Sequence, residues 1–325
     1  MNTVLCALCG SEQYFHLFRG KDRDWDTGDE FNVARCKKCG LVYINPRPDK
    51  EEIKKYYPSE NWSRAQNKVN VEDAVISGAH WSVAIAERVE PILKLGINGK
   101  ILDIGCGDGL LLYYLKQYGW DCYGVEPGEI AARYANETLG LNVLNITIDN
   151  IRYENDFFDV VNLHHVFEHL DEPLEAIRQI KSVLKSDGYL VIGVPNFNGF
   201  DSKIFGKRWV GLKLPQHLFQ YTEKTLKAMV EKSGFKIESV NYKSYEAKNT
   251  MYYSESLRYV LRDWGIYPKR ENNGDKIGNG SGYRESMFKK IFHLAERGVF
   301  KTMGFVFDKL KYGSTITMVA KKQYK

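Results

Sequence analysis

Apolar positions along this chain fall into two rhythms: short continuous runs, and longer stretches with helical spacing between them. The first run, residues 101–104 of GKILDI, leads into glycines at 105, 107 and 109 and then into the apolar-periodic helix LLLYYL. DCYGVE (121–126) forms a second run, a helix pattern follows over roughly 128–139, and 142–145 is a short third run. FFDVVNL is the fourth, a helix pattern covers 172–185, and YLVIGVPN (189–196) is the fifth. Apolar strands alternating with helices at this spacing predict an α/β fold built on a doubly wound parallel sheet.

Residues 1–45 read differently. They carry C-A-L-C-G (Cys6, Cys9) and C-K-K-C-G (Cys36, Cys39). Each C-x-x-C can wrap two thiolates around one face of a metal, and the following glycine relieves the knuckle turn; four soft ligands in a tetrahedron suit zinc. A closed four-cysteine set leaves no open position, so the expected zinc is structural, in a ribbon over 1–45. The opening MNTVLCALCG has no basic segment leading an apolar one, and no apolar run reaches the roughly 18 residues of a membrane span. Paired cysteines in such a chain favour metal over disulfides and predict a cytoplasmic protein.

Composition adds little beyond this. A hydrophobic content of 43% and an aromatic content of 13% are ample for a real core and exclude global disorder. The net charge of +5 comes from the tail, where 281–325 hold ten Lys/Arg against three Asp/Glu. Basic excess so far from the ribbon argues against nucleic acid as the partner.

The glycine loop reads D-x-G-x-G-x-G, with Asp103 in the strand before it. Glycines let the backbone pass close to a ligand and expose amides at a helix start. Asp103 would sit awkwardly beside a pyrophosphate but well beside the amino-acid end of S-adenosylmethionine. Glu126, at the tip of the second strand, is placed to accept hydrogen bonds from ribose hydroxyls. LDIGCGDG, VEPG, FDVVNLHHVFEHLDEP and LKSDGYLVIGVPN together resemble the class I S-adenosylmethionine-dependent methyltransferases. More narrowly, with CxxCG…CKKCGLVYINPRP, the chain resembles a bacterial subfamily with an N-terminal zinc ribbon. That subfamily is related to ubiquinone-type O-methyltransferases and to glycan and sugar methyltransferases.

The resemblance covers nearly the whole chain and implies a Rossmann-like, seven-stranded methyltransferase sheet. The ribbon (1–45) would be followed by a helical linker or lid (46–98), the core (99–245), a helical insertion (246–312), and the last strand with its tail (313–325). By the same resemblance Asp103, Gly105, Gly107 and Gly109 line the methionine end, Glu126 holds the ribose, and Ile148 and Asp149 border the adenine.

HHVFEHL (164–170) contains H-x-x-E-H, the spacing of an inverted zinc-protease motif. That motif needs both histidines on one continuous helix. Here His164 and His165 leave the carboxyl end of a buried strand, the edge where open α/β sheets bind ligands. Three readings stay open. His164 or His165 closes over the cofactor beside the transferred methyl; or His165, Glu168 and His169 hold a divalent cation that binds substrate oxygens; or Glu168 and His169 cap the next helix.

A stronger candidate base lies in FGKRWVGLKLPQHLFQYT (205–222). Methyl transfer to a hydroxyl needs alignment and removal of a proton. His217 titrates near neutrality and follows the fifth strand, on the substrate side in this fold. Trp209 offers a flat face for a sugar ring, and Lys203, Lys207, Arg208 and Lys213 suit phosphate.

Within the insertion, Phe288, Ile291, Phe292, Ala295, Val299, Met303, Val306 and Leu310 recur at helical spacing with lysines beside them. This is either a helix over the substrate pocket or one lying on the inner membrane face, with peripheral contact through 286–311. The expected activity is methylation of a hydroxyl on a small anionic carbohydrate, a sugar nucleotide or glycan intermediate. C-methylation of a sugar and RNA methylation with the ribbon as reader are the alternatives.

Overall fold

The computed structural model describes residues 1–25, 27–57, 88–243, 251–266 and 301–323. Most of the expected lid and most of the apolar stripe of the insertion lie outside these residues.

The amino-terminal part is an antiparallel sheet of β1 (Tyr14–Lys21), β2 (Glu30–Cys36) and β3 (Val42–Ile44). Both cysteine knuckles close the same way: Gly10 N–H donates to the Cys6 carbonyl at 2.8 Å and Gly40 N–H to the Cys36 carbonyl at 3.1 Å. The stretch expected to be a helix after the ribbon is a short 3-10 turn, Glu52–Tyr56.

The large sheet starts with β4 (Lys100–Ile104), followed by α1 (Leu110–Lys116), β5 (Asp121–Val125), α2 (Glu129–Glu137) and β6 (Asn142–Leu144). Then come β7 (Phe158–His164), α3 (Pro173–Val183), β8 (Leu184–Pro195) and α4 (Phe200–Phe205). Two residues, Phe219–Gln220, form β9; α5 (Glu223–Lys232) and β10 (Phe235–Lys243) follow. The last described elements are α6 (Met251–Asp263), α7 (Lys301–Lys309) and β11 (Thr315–Lys322). Strand order is β10-β11-β8-β7-β4-β5-β6. β11 runs antiparallel to both its neighbours, β10 and β8, while β8, β7, β4, β5 and β6 pair with one another in parallel. This is the seven-stranded sheet that the resemblance implies, with helices between its parallel strands.

Successive connections run one way from β4 to β5 and β6, and the other way from β4 to β7 and β8. The reversal lies between β4 and β7, and open α/β sheets bind ligands at the carboxyl ends of the strands beside it. The parallel register there sets Asp103 opposite Asn162.

One feature was not visible in the sequence pattern. β9 pairs with β3 of the ribbon, Val42 opposite Gln220 and Tyr43 opposite Phe219. Phe31, Leu41, Tyr43, Phe167, Leu218, Phe219 and Tyr221 belong to one buried cluster. Burying a ring such as Phe219 contributes on the order of 2 kcal/mol, so the ribbon packs as a wall of the core. Lys232 donates to the Leu8 carbonyl at 2.6 Å and Arg47 to the Asp171 carbonyl at 3.3 Å, which reinforces the joint.

Val306 and Leu310, the described ends of the insertion's stripe, are 45% and 56% exposed. Among the described residues no helix is long and apolar enough to cross a membrane.

Candidate active site

At the switch point, the chain leaves β4 through a loop whose glycines all take positive φ. A Cβ on Gly105 would come within 2.4 Å of Val166, whereas one on Gly107 (φ +57) would project into open space over the loop. Gly109 is the N-cap of α1. Glu126 anchors this loop: its carboxylate accepts from Gly107 N–H at 2.9 Å and Gly128 N–H at 2.7 Å. A carboxylate has about four acceptor sites, so two remain for a diol.

Asp103 is buried, and burial pushes its carboxyl up to about 7 although the Asn162 amide donates to it at 2.7 Å and Arg88 lies near. Arg88, Asp103, Gly105, Asp108 and His164 line one cleft. The cleft thus holds two acids and a guanidinium, of which Asp103 and Arg88 match the ammonium and carboxylate of an amino acid. Ile148 and Asp149 lie in a 3-10 turn after β6, with Ile148 buried and Asp149 exposed. Neither Arg88 nor Asn162 was singled out from the sequence. Asn162 carried a signal, a lone polar residue within a buried apolar strand; Arg88 carried none.

Beyond β7 the backbone turns sharply. His165 adopts the left-handed conformation (φ +56), uncommon for a residue with a Cβ, and its N–H donates to the Gly193 carbonyl at 2.8 Å. His165 and His169 therefore do not share a helix, and the protease geometry is absent. Glu168 does not cap α3; it is 1% exposed and accepts from His165 Nδ1 at 3.2 Å. Its second oxygen, Oε2, is buried without a hydrogen-bond partner among the described residues.

His217 meets this group from the loop after β8. Its Nδ1–H donates to the Gly211 carbonyl at 2.8 Å, and its N–H donates to the Lys213 carbonyl at 3.0 Å. That bond places the proton on Nδ1 and leaves the Nε2 lone pair 3.8 Å from Glu168 Oε1. The His169 ring stands edge-on to His217, centroids 4.6 Å apart, and His169 Nδ1 shares a 2.8 Å hydrogen bond with the Tyr57 hydroxyl. Burial holds His169 down at about 4 and holds His217 well below the usual range, in place of the near-neutral titration expected from sequence, so both are neutral at pH 7. Tyr57 was not foreseen, because its contact exists only in the folded chain.

Other expected site residues are placed differently. Trp209 presents no open stacking face: it is 1% exposed, and its indole N–H donates to buried Asp201 at 2.7 Å. The aromatic segment around it simply forms core. Arg208 donates to Asp263 at 2.6 Å, beside Arg23 on the same carboxylate. Lys213 caps the 3-10 turn Val210–Leu212, and its charge helps lower His169 and His217.

At the far end, the sulfurs of Cys6, Cys9, Cys36 and Cys39 lie within 4.8 Å of one another. Cys6 and Cys39 are 3.4 Å apart, Cys9 and Cys36 3.5 Å, and all four are free thiols. Thiolates about 2.3 Å from a tetrahedral zinc stand roughly 3.8 Å apart. The donor set fits zinc.

Residues 79–240 match the family model of a methyltransferase domain, Methyltransf_23. The ubiquinone biosynthesis O-methyltransferase of Haemophilus ducreyi is 31% identical over 145 residues, 41% of this chain and 61% of that protein. The enzyme of that name from Cereibacter sphaeroides is 34% identical over 124 residues, 36% of this chain and 50% of that protein. The match thus spans less than two thirds of the length of these curated relatives. Among solved structures, an S-adenosylmethionine-dependent methyltransferase from Archaeoglobus fulgidus is 20% identical, covers 78% of this chain and 98% of its own, and superposes with a TM-score of 0.47. The matched segment contains the glycine loop, Glu126 and the switch-point cleft, so residues 79–240 form a methyltransferase domain of the class I S-adenosylmethionine-dependent type, similar to the ubiquinone-type O-methyltransferases.

Proposed function

We propose that this protein methylates a hydroxyl of a small anionic carbohydrate, with His217 as general base. The observation that carries the choice of base is the fixed tautomer of His217, whose Nε2 keeps its lone pair and faces Glu168 among the loops that follow β7 and β8. The bound cofactor would supply an electrophilic methyl on a sulfonium. The protein's own tasks are to hold and align the two partners and to take the hydroxyl proton. Asp103 would accept from the cofactor's ammonium, Arg88 would meet its carboxylate, and Glu126 would hold the ribose.

Two expected results follow for cofactor binding. Gly107→Val fills the open space over the loop and should abolish binding of S-adenosylhomocysteine in a calorimetric titration; unchanged affinity would move the site elsewhere. Affinity should also depend on pH. Free Asp103 titrates at about 7 and must be ionised to receive an ammonium. Binding should therefore be strongest above pH 7 and weaken by up to about tenfold per unit below it. Affinity that stayed level through this range would show Asp103 ionised throughout.

The substrate class is tested with labelled cofactor and a panel of sugar nucleotides, glycan intermediates and RNA. Label on a sugar oxygen supports the reading. Label on a sugar carbon or on RNA replaces it with the corresponding alternative.

A second reading is favoured by one observation. Ligating atoms of Glu168, His169 and His217 all lie within 4.8 Å of one another, as a site for a divalent cation would require. This differs from the set expected from sequence: His165 donates to Glu168 and the third place falls to His217. Transfer lost on chelation and restored by a divalent ion, at constant cysteine-bound zinc, would favour this version.

A further inference from the structure

The apolar stripe of the insertion reaches the described residues at its carboxyl end, as α7. This nine-residue helix is about 13 Å long, so it can lie on a bilayer and cannot cross one. It packs against β10 and beside α4, where the Phe200 and Phe307 rings stack with centroids 3.5 Å apart. Phe200 N–H also donates to the Tyr312 carbonyl at 2.9 Å. Gly304, Phe307 and Asp308 are buried or half-buried on that side. Thr302, Phe305, Val306, Lys309 and Leu310 form the opposite face and are exposed, Phe305 by 62%. Across the joint, Ile204 of α4 is 56% exposed, and Tyr312 follows α7 at the surface.

Five of the twelve large apolar side chains exposed among the described residues therefore stand on α4, α7 and the end of α7. Exposed apolar residues scattered singly are ordinary, whereas a cluster of them marks an interaction surface. Lysines are interleaved with this cluster. Lys309 Nζ lies 4.4 Å from the centroid of the Phe305 ring, and Lys203 Nζ lies 4.1 Å from that of Tyr312. Lys311 is exposed beside them. The two acids of these segments turn inward: Asp201 is fully buried against the Trp209 indole, and Asp308 is half-buried beside Gly313. The exposed charge of the patch is thus all positive.

We propose that the face formed by α7 and α4 docks the protein on an anionic bilayer surface. Lysine stems cover apolar surface while their ammonium groups reach outward to anionic headgroups. The rings and aliphatic side chains between them enter the boundary of headgroups and acyl chains. The inference does not depend on which acceptor is methylated.

The test is co-sedimentation of the full chain, with its zinc, on vesicles of phosphatidylcholine alone or mixed equally with phosphatidylglycerol. Binding is expected on the mixed vesicles, at least about tenfold weaker on the neutral ones and weakening as salt is raised. Each lysine near such a surface is worth about fivefold, so the double change Lys309→Gln and Lys311→Gln should weaken binding about 10- to 30-fold. The double change Phe305→Ser and Leu310→Ser should weaken it about tenfold or more. Affinity for S-adenosylhomocysteine should not move in either variant, which checks that both fold. Absence of binding to the mixed vesicles overturns the proposal, as does binding that both variants retain at the parent's strength. Self-association that Phe305→Ser and Leu310→Ser abolish, without vesicle binding, also overturns it and assigns the face to a second copy of this chain.

Discussion

Cys36→Ser is expected to break the four-cysteine cluster, to cost the protein the zinc proposed for it, and to loosen the loop that presents His217. Structural zinc in small sites contributes about 10–16 kcal/mol of apparent binding free energy. Three thiolates keep only part of that. Usually a lost ribbon would leave a catalytic core intact, but here β9 pairs with ribbon strand β3 immediately after His217. Gln220, in that strand, donates to the carbonyls of Leu212 and His217 at 3.1 and 3.2 Å. Gln216 donates to the Tyr56 carbonyl from the other side. The variant should lose about one equivalent of zinc, melt roughly 10 °C lower or more, and lose most transfer while keeping part of its cofactor affinity. Metal analysis, thermal melting and calorimetry measure these separately. Zinc loss with unchanged melting and transfer would show that apolar packing alone holds the ribbon against the core.

His217→Ala should reduce transfer by about 10²- to 10⁴-fold, the usual contribution of a general base, with affinity for S-adenosylhomocysteine unchanged. Alanine also removes the bond to the Gly211 carbonyl, so loss of activity alone would not separate catalysis from loop structure. His217→Asn separates them. An asparagine amide can still donate toward Gly211 but has no nitrogen lone pair in the place of Nε2. If His217 acts as the base, the asparagine variant should fold like the parent and transfer no faster than the alanine variant. Recovery of transfer by asparagine would reduce His217 to a strut.

Much of the cofactor end was legible in the residues. Asp103, the glycines and Glu126 lie close together in the chain, and their placement follows from strand, loop and helix in immediate succession. The four cysteines were readable for the same reason, since each C-x-x-C is a local turn. Trp209 shows the limit: an aromatic in a basic loop reads as a surface, and only packing against Asp201 revealed it as core. His165, Glu168 and His169 were spaced correctly for a shared role. However, which third group joins Glu168 and His169 depended on where a loop from beyond β8 comes to rest.

The sequence by itself determined the α/β alternation, the glycine loop that opens it and the two cysteine knuckles, because periodicity and short motifs act over neighbouring residues. The tertiary structure alone decided that the ribbon shares a sheet with the His217 loop, that Tyr57 and His217 converge on His169, and that Glu168 lies between His165 and His217. Those outcomes depend on strand pairing and burial between segments far apart in the chain, which no local pattern encodes.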